Sequence, residues 1–248
     1  MNSKKSYLAI FGIILAVGLM ASAFILGNQF KNLRQTGSIS VKGLAESHYT
    51  STQGTWVIRV TGWGATYNDA MAANQKNLNE AVRFLKAQGF ADVNREITEL
   101  DVSTHTDYYE NEKGETKSRE NGFDASRSIR ISTKELTKLQ KALTNIHQLV
   151  ANNQDISFGD PNYYLENLEQ IKRELISKAT QDAHVRAEEF AKTSNVKVGV
   201  LKSASQGPFY IQAPNPDADD SSDYTGSYDT STIEKKARLV VTIEYAIE

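Results

Sequence analysis

The histidines are the first residues to consider for chemistry, because an imidazole changes its charge near neutral pH. They are His48, His105, His147 and His184. None stands in a metal-binding spacing such as H-E-x-x-H. His184 and Glu188 are four residues apart in a helical pattern, so they share one helix face, with Asp182 near in sequence. They form either an acid–base pair or an ordinary polar contact on a solvated face. The absence of a nucleophile motif such as G-x-S-x-G favours the second interpretation.

Three further features are candidates for binding sites. Gly62-Trp63-Gly64 resembles part of a phosphate-binding loop, but no G-x-G-x-x-G completes it, and packing of Trp63 beside a turn is the better interpretation. His105 lies in a polar strand pattern and is expected at the surface.

The chain has 11 tyrosines. Exposed tyrosine clusters suit protein contacts or stacking on glycans, although they are also normal at strand ends.

The segment Ala213–Ser231 contains a group of carboxylates that resembles a calcium-binding cluster. The carboxylates are those of Asp217, Asp219, Asp220 and Asp223. A calcium loop needs a turn glycine and a bidentate glutamate at fixed positions, and this segment has neither in place. The segment has no hydrophobic periodicity, and Pro214 and Pro216 suit a solvated linker. A flexible acidic loop without a bound metal is therefore predicted at residues 213–231.

The composition excludes several classes of protein. The chain has 248 residues, 28 Lys and Arg against 30 Asp and Glu, and no cysteine. The near-zero net charge argues against a nucleic-acid-binding protein, which needs a basic surface. Without cysteine there is no disulfide scaffold, thiolate zinc site, iron–sulfur cluster or thiol nucleophile. The hydrophobic fraction of 40% is that of a globular protein.

The N-terminal segment is set apart by its hydrophobicity. Lys4 and Lys5 precede Tyr7–Leu26, an uncharged run long enough for a helix to cross the ~30 Å hydrocarbon core of a membrane. An uncleaved anchor at residues 7–27 is favoured over a cleaved signal peptide, because the run continues past the one A-x-A site, Ala21-Ser22-Ala23. An anchor would leave residues 1–6 in the cytoplasm. Either interpretation predicts that the residues beyond about Asn28 are exported, and residues 28–37 would form a linker to the main domain.

Hydrophobic periodicity and turn signals predict strands and helices beyond that linker. Strands are expected at Gly37–Gly43, Thr55–Trp63, Val93–Tyr109, Gly122–Ser132, Ile156–Tyr164, Val198–Ile211 and Ala237–Ile247. One helix begins after Thr66 or Asn68 and ends near Gln88, where Gly89 suits a C-terminal cap. A second follows Ser132-Thr133-Lys134-Glu135, which has the capping-box pattern. The third and longest is Leu165–Thr193, with an inward stripe that includes Ala183, Ala187, Phe190 and Ala191.

Helices and antiparallel strands are mixed in this order without regular alternation. The prediction is therefore an α+β domain at residues 38–248, in which a mixed, mainly antiparallel sheet carries helices on one face. The order of elements also suggests two intertwined β-α-β units, although no repeat is visible at the level of residues.

The chain resembles the SIMPL-domain family, bacterial periplasmic or secreted proteins of poorly defined function. The first matching stretch is the I-x-V-x-G strand Ile39–Gly43, followed by a strand and an alanine-rich helix that ends at Gln88-Gly89-Phe90. The second is Ile97-Thr98, a long strand and the hairpin at Tyr108-Tyr109. The third is a helix with the pattern A-x-x-D-A-x-x-[KR]-A-x-x-[LF]-A, which starts at Ala179. The fourth is a strand, a polar insert and a terminal strand.

Together these stretches span about Ser38 to Glu248. One departure is the charged first half of the longest helix, with Glu166, Glu169, Lys172, Arg173 and Glu174. The resemblance implies an α+β domain with no established catalytic site. It also implies a relation to assembly-forming envelope proteins and to stress tolerance.

We therefore expect a non-enzymatic, membrane-anchored envelope protein that acts through self-assembly or partner binding and has no cofactor or metal. Its main domain would lie in the periplasm or outside the cell, held at the bacterial inner membrane. If the signal is cleaved, it would instead be soluble in the periplasm. The partners would be further copies of the chain or an unknown protein, and no nucleic acid. The alternative is an exported hydrolase or ligand-binding enzyme with a site near His184 and Glu188.

Overall fold

The computed structural model describes residues 12, 15–25, 37–91, 95–214 and 227–248. The chain divides into two compact units, each assembled from separate stretches of sequence. Unit 1 comprises Met1–Gly43, Thr180–Ser205 and Val241–Glu248, and unit 2 comprises Leu44–Ala179 and Gln206–Val240.

The described residues contain nine strands and four helices. The strands are β1 (Ser38–Thr50), β2 (Gln53–Gly64), β3 (Arg95–Ile97), β4 (Asp101–Glu110), β5 (Thr116–Thr133), β6 (Ile156–Phe158), β7 (Asn162–Tyr164), β8 (Val198–Gln212) and β9 (Glu234–Ile247). The helices are α1 (residues 15–25), α2 (Tyr67–Ala87), α3 (Leu136–Asn152) and α4 (Leu168–Thr193). The predicted α+β class with mainly antiparallel pairing is confirmed.

Two sheets are present where the sequence suggested one. The smaller sheet has the strand order β1-β9-β8. The larger has the order β3-β5-β2-β6, with β4 also paired to β5 and β7 to β2. Strands β2 and β5 form its centre, in an antiparallel register that places Trp56 opposite Ile131 and Ile58 opposite Ile129.

The core of unit 2 lies between the larger sheet and helices α2 and α3. The buried apolar side chains come from alternate positions of the strands and from one stripe of each helix. They include Trp56, Ile58, Val60, Leu78, Ala81, Leu85, Ile129, Ile131, Leu139, Ala142 and Ile146. Burial of each large side chain contributes about 1.5–3 kcal/mol to folding. The predicted packing of helices on one face holds for this sheet.

Glycines at the end of β2 let α2 approach the strand closely. A Cβ atom at Gly62 would collide with the backbone of Asn74, and one at Gly64 would collide with the backbone of Ala70. Asn74 is buried, and its Nδ2 donates to the carbonyl of Val60 at 2.9 Å. The Gly62-Trp63-Gly64 sequence is therefore explained by contact between helix and strand.

Three predicted elements differ from the structure. The strand predicted at Val93–Tyr109 is two strands, β3 and β4, and residues 92–94 lie outside the described part of the chain. The strand predicted at Ile156–Tyr164 is interrupted around Pro161, which has no backbone N–H to donate to a sheet. The prediction of a capping box at the start of α3 is wrong as well. The cap of α3 is Glu135, and the Thr133 hydroxyl accepts from the Glu135 N–H at 3.0 Å.

Phe190 does not belong to the inward stripe of α4. Ala183, Ala187 and Ala191 are buried at intervals of four residues, whereas 61% of Phe190 is exposed. Consecutive residues of an α-helix point about 100° apart, because a turn holds 3.6 residues. Phe190 is therefore turned away from the direction of Ala191.

The predicted membrane anchor is described only in part. Helix α1 covers residues 15–25, whereas residues 7–11, 13–14 and 26–27 of the predicted anchor lie outside the described residues, as do 28–36 of the linker. No helix in the described part of the chain is both long enough and apolar enough to cross a membrane.

The predicted acidic loop ends earlier than expected. Residues 215–226 lie outside the described residues, but residues 227–231 are hydrogen-bonded to other segments of unit 2. The Tyr163 N–H donates to the carbonyl of Thr230 at 2.7 Å, and the Leu165 N–H donates to the Tyr228 hydroxyl at 2.7 Å. The prediction of a flexible loop is therefore wrong for residues 227–231.

Candidate functional site

The predicted His184–Glu188 contact is present on α4 in unit 1. The His184 Nε2 lies 3.3 Å from the Glu188 Oε1, and 50% and 61% of the two side chains are exposed. The His184 ring lies 5.6 Å from that of Tyr245, whereas Asp182 pairs with Arg186 at 2.8 Å. A shallow depression beside the pair is lined also by Ala191, Lys192, Val196, Lys197 and Val198. This lining contains no hydroxyl nucleophile, so the geometry is that of a polar contact on a helix face.

The other predicted ligand groups do not converge. His48 is exposed, and the ring of His147 packs edge-on against Phe158 at 5.1 Å. Asp217, Asp219, Asp220 and Asp223 lie outside the described residues. Within the part of the chain that is described, no group of three His, Cys, Asp or Glu side chains is placed to hold a metal ion.

A cluster that the sequence did not predict surrounds His105 at a β-bulge in unit 2. The register of β4 and β5 pairs Thr104 with Phe123 and then Thr106 with Glu120. His105 therefore faces two residues of β5, Asn121 and Gly122. Gly122 has φ +81°, which glycine adopts easily and which permits this kind of bulge.

The bulge brings two carboxylates to opposite sides of the His105 ring. The Nδ1 lies 2.6 Å from the Asp124 Oδ2, and the Nε2 lies 3.1 Å from the Asp107 Oδ1. The Asn121 Nδ2 donates to the Asp107 Oδ2 at 2.7 Å, and Arg119 lies 3.6 Å from the same oxygen. Both oxygens of Asp107 and the Oδ2 of Asp124 therefore have defined partners.

These contacts favour the charged forms of the groups. The hydrogen bond to Asp124 is the main reason that the pKa of His105 is raised, and Asp107 adds to it. The hydrogen bond from Asn121 is the main reason that the pKa of Asp107 is lowered. Both ring nitrogens can donate only when the imidazole is protonated, so this arrangement of two carboxylates favours the protonated ring.

Trp63 lies beside this cluster on the neighbouring strand. It is opposite Asp124 in the register of β2 and β5, and its Nε1 donates to the Asn121 carbonyl at 3.0 Å. A Cβ atom at Gly122 would come within 3.2 Å of the Trp63 Cζ2, so the indole lies against this glycine. Yet 49% of Trp63 is exposed. We call Trp63, His105, Asp107, Asn121 and Asp124 the Trp63 cluster.

Only part of this cluster could have been found in the sequence. His105 and Asp107 are two residues apart, which places them on one face of a strand. Their relation to Asp124 and Trp63 depends on the register of three strands, and the bulge shifts that register by one residue. Gly122 was the one local signal of such an irregularity.

Unit 1 presents a second exposed feature, on the outward side of α4. Val185 and Phe190 are 47% and 61% exposed. They line a shallow depression with the ion pair of Asp182 and Arg186, and with Glu189 and Thr193. We call this group the outer α4 face. It combines apolar side chains with charges of both signs.

Comparison with known proteins identifies a family. No curated protein matches the chain. The sequence model of SIMPL, described as a protein of unknown function (DUF541), matches residues 39–245. This range begins within β1, ends within β9 and includes both features described above. The chain therefore belongs to the SIMPL family.

Proposed function

We propose that this protein is a non-enzymatic, membrane-anchored component of the bacterial cell envelope that acts through self-assembly or binding of a protein partner. The outer α4 face carries the proposal. Apolar side chains with an arginine, surrounded by polar groups, are typical of the central part of protein interfaces. Phe190 would bury a large ring on contact, and the Asp182–Arg186 pair offers charges of both signs to a partner.

Membrane attachment is supported by the N-terminal segment. The run Tyr7–Leu26 has no charged residue and follows Lys4 and Lys5. In its described part, α1, exposed apolar side chains occur at Leu15, Val17, Leu19, Met20, Phe24 and Ile25. These positions point around the helix in several directions, and lipid would cover them all. We propose that the domain beyond this segment lies outside the cytoplasm. A role in stress tolerance is also proposed, and it rests on the family resemblance alone.

The enzymatic alternative near His184 and Glu188 has less support. Both side chains are at least half exposed, and water weakens the electrostatic effects on which acid–base catalysis depends. His184→Ala is therefore expected to change the free energy of unfolding by no more than about 0.5 kcal/mol and to leave assembly intact. Loss of a hydrolytic activity in this variant, with the wild-type fold retained, would favour the enzyme.

Crosslinking in isolated membranes tests the proposal. Phe190→Asp places a charge in the outer α4 face, and we expect it to abolish most of the crosslinked species formed by the wild type. Met71→Asp is the matched control, because Met71 is also an exposed apolar residue on a helix. Carbonate washing of the same membranes tests the anchor. An unchanged crosslinking pattern in Phe190→Asp would contradict assembly through the outer α4 face. Full release of the wild type by carbonate would contradict the membrane anchor.

A further inference from the structure

We propose that the Trp63 cluster binds a neutral oligosaccharide, with the exposed Trp63 indole as a stacking platform and Asp124 and Asn121 as hydrogen-bonding groups. This site goes beyond the proposed function, which requires only contacts with protein and membrane.

The indole of Trp63 is held in a defined orientation. Its Nε1 donates to the Asn121 carbonyl at 3.0 Å, and its six-membered ring lies against Gly122, which has no side chain to displace it. An aromatic ring that is both fixed and half exposed offers apolar surface at a small entropic cost on binding. The C–H face of a sugar ring suits such a surface. The other tryptophan, Trp56, is 1% exposed and belongs to the core.

Hydrogen-bond acceptors remain available beside the ring. His105 occupies the Asp124 Oδ2, and the amide nitrogen of Asn121 is bonded to Asp107. Among the described residues, no side chain donates to the Asp124 Oδ1 or the Asn121 Oδ1. Directly paired residues have Cβ atoms about 5 Å apart, so the Asp124 carboxylate lies next to the Trp63 side chain. Sugar hydroxyls would donate to these free oxygens.

The charge of the cluster favours an uncharged ligand. When His105 is protonated, the carboxylates of Asp107 and Asp124 are balanced by the ring between them and by the Arg119 guanidinium 3.6 Å from Asp107. A cation would compete with these internal partners, and an anion would meet both carboxylates. A ligand rich in hydroxyl groups meets neither obstacle, because it uses only the acceptors that the cluster leaves free.

The open sheet face indicates a chain of sugars rather than a single enclosed one. His105, Asp107 and Tyr109 occupy every second position along β4, so they point to the same side of the sheet. Tyr109 is 52% exposed and lies about 13 Å along the strand from His105. A linear oligosaccharide lying along β4 would therefore reach a second aromatic platform.

Binding of defined oligosaccharides to the full chain in detergent tests this site. The probes are chitotetraose, maltotetraose and mannotetraose, which are all neutral and differ in sugar and linkage. Tryptophan fluorescence reports on the site directly, because Trp56 is buried and Trp63 is exposed, and calorimetry gives the affinity. We expect saturable binding of at least one probe. Trp63→Ala should weaken it at least tenfold, Asp124→Asn should weaken it several-fold, and Trp63→Phe should retain most of it.

Two matched variants separate the site from general surface effects. Met71→Ala removes an exposed apolar residue outside the cluster and outside the outer α4 face, and Asp101→Asn neutralises an exposed carboxylate elsewhere on β4. Both should bind as the wild type does. The proposal is overturned if none of the probes binds more tightly than about 1 mM. It is overturned equally if Trp63→Ala or Asp124→Asn melts at the wild-type temperature and still binds as tightly as the wild type.

Discussion

The ion pair between Asp229 and Lys235 makes a strong prediction about stability. The Lys235 side chain is completely buried, and its Nζ lies 2.9 Å from the Asp229 Oδ2 and 2.6 Å from the Asp229 carbonyl. Asp229 also accepts hydrogen bonds from the N–H and hydroxyl groups of Ser231 and Thr232. Asp229→Ala would remove all of the Asp229 side-chain contacts and leave the buried ammonium group without a counter-charge, bonded only to the carbonyl of residue 229.

The expected cost is large for a single substitution. Removing one partner of a buried ion pair typically destabilises a protein by about 3–5 kcal/mol, because the remaining charge is left without compensation. Total stabilities are about 5–15 kcal/mol, so this loss would be a considerable fraction. The hydrogen bonds lost from Ser231 and Thr232 act in the same direction. The double variant Asp229→Ala/Lys235→Met should recover much of the loss, because it removes both charges.

Urea denaturation of the wild type, both single variants and the double variant measures this coupling. A fall of less than about 1 kcal/mol in Asp229→Ala, well below the usual cost of breaking a buried ion pair, would refute the reasoning. So small a fall would mean that the Lys235 ammonium group is not trapped in the interior and reaches water after the substitution. A double variant as unstable as Asp229→Ala would show that the hydroxyl contacts, and not the charge, determine the cost.

The pH dependence of stability provides an independent test of the same pair. Burial alone would raise the pKa of Asp229, but the hydrogen bonds from Ser231, Thr232 and Lys235 outweigh it and hold that pKa well below its usual range. Because the folded pKa is lowered, this carboxylate stabilises the fold above its unfolded pKa, about 3.9. The contribution is lost as the pH falls from there toward the folded pKa. Asp229→Ala should show less loss of stability than the wild type over this acid range.

Three other predictions concern different parts of unit 2. Asp124→Asn should lower the raised pKa of His105, measured by NMR titration. Because that pKa is raised on folding, the His105 contribution to stability is full below the ordinary histidine pKa and disappears as the pH rises through the folded value. Gly62→Ala should destabilise by about 1–3 kcal/mol in chemical denaturation, because its Cβ would collide with the Asn74 backbone; a neutral effect would argue against the close packing of α2 on β2. Replacing residues 215–226 by a Gly/Ser link of half the length should shift stability by only about 0.6 kcal/mol, and a collapse of the melting temperature would show that the segment packs.

Elements with strong local signals were predictable from the sequence. Helix α2 has its cap at Thr66, one of the two expected positions, and the expected glycine at Gly89 has φ +86°. The alternation of Trp56, Ile58 and Val60 identified the buried face of β2 correctly. The His184–Glu188 contact was also expected. In each case the determining interactions lie within a few residues along the chain, where spacing alone decides which side chains meet.

The Trp63 cluster depended on tertiary structure. Trp63, His105 and Asp124 come from three strands, and a bulge beside Gly122 sets which of their side chains are neighbours. A shift of one residue in strand pairing turns each side chain to the opposite face of a sheet. Strand periodicity indicates which residues share a face within one strand, but it does not determine the pairing between strands.

The burial of Lys235 shows the same limit of sequence information. The segment before it is acidic and lacks periodicity, which are features of a solvated loop, and Lys235 by itself is a residue type that is rarely buried. Only the fold brings the chain back at Tyr228 and Thr230 and encloses the ammonium group with Asp229. The sequence by itself determined the family, the α+β class and the local faces of helices and strands. Pairing between distant segments decided the Trp63 cluster and the buried ion pair, because both depend on contacts that no local pattern encodes.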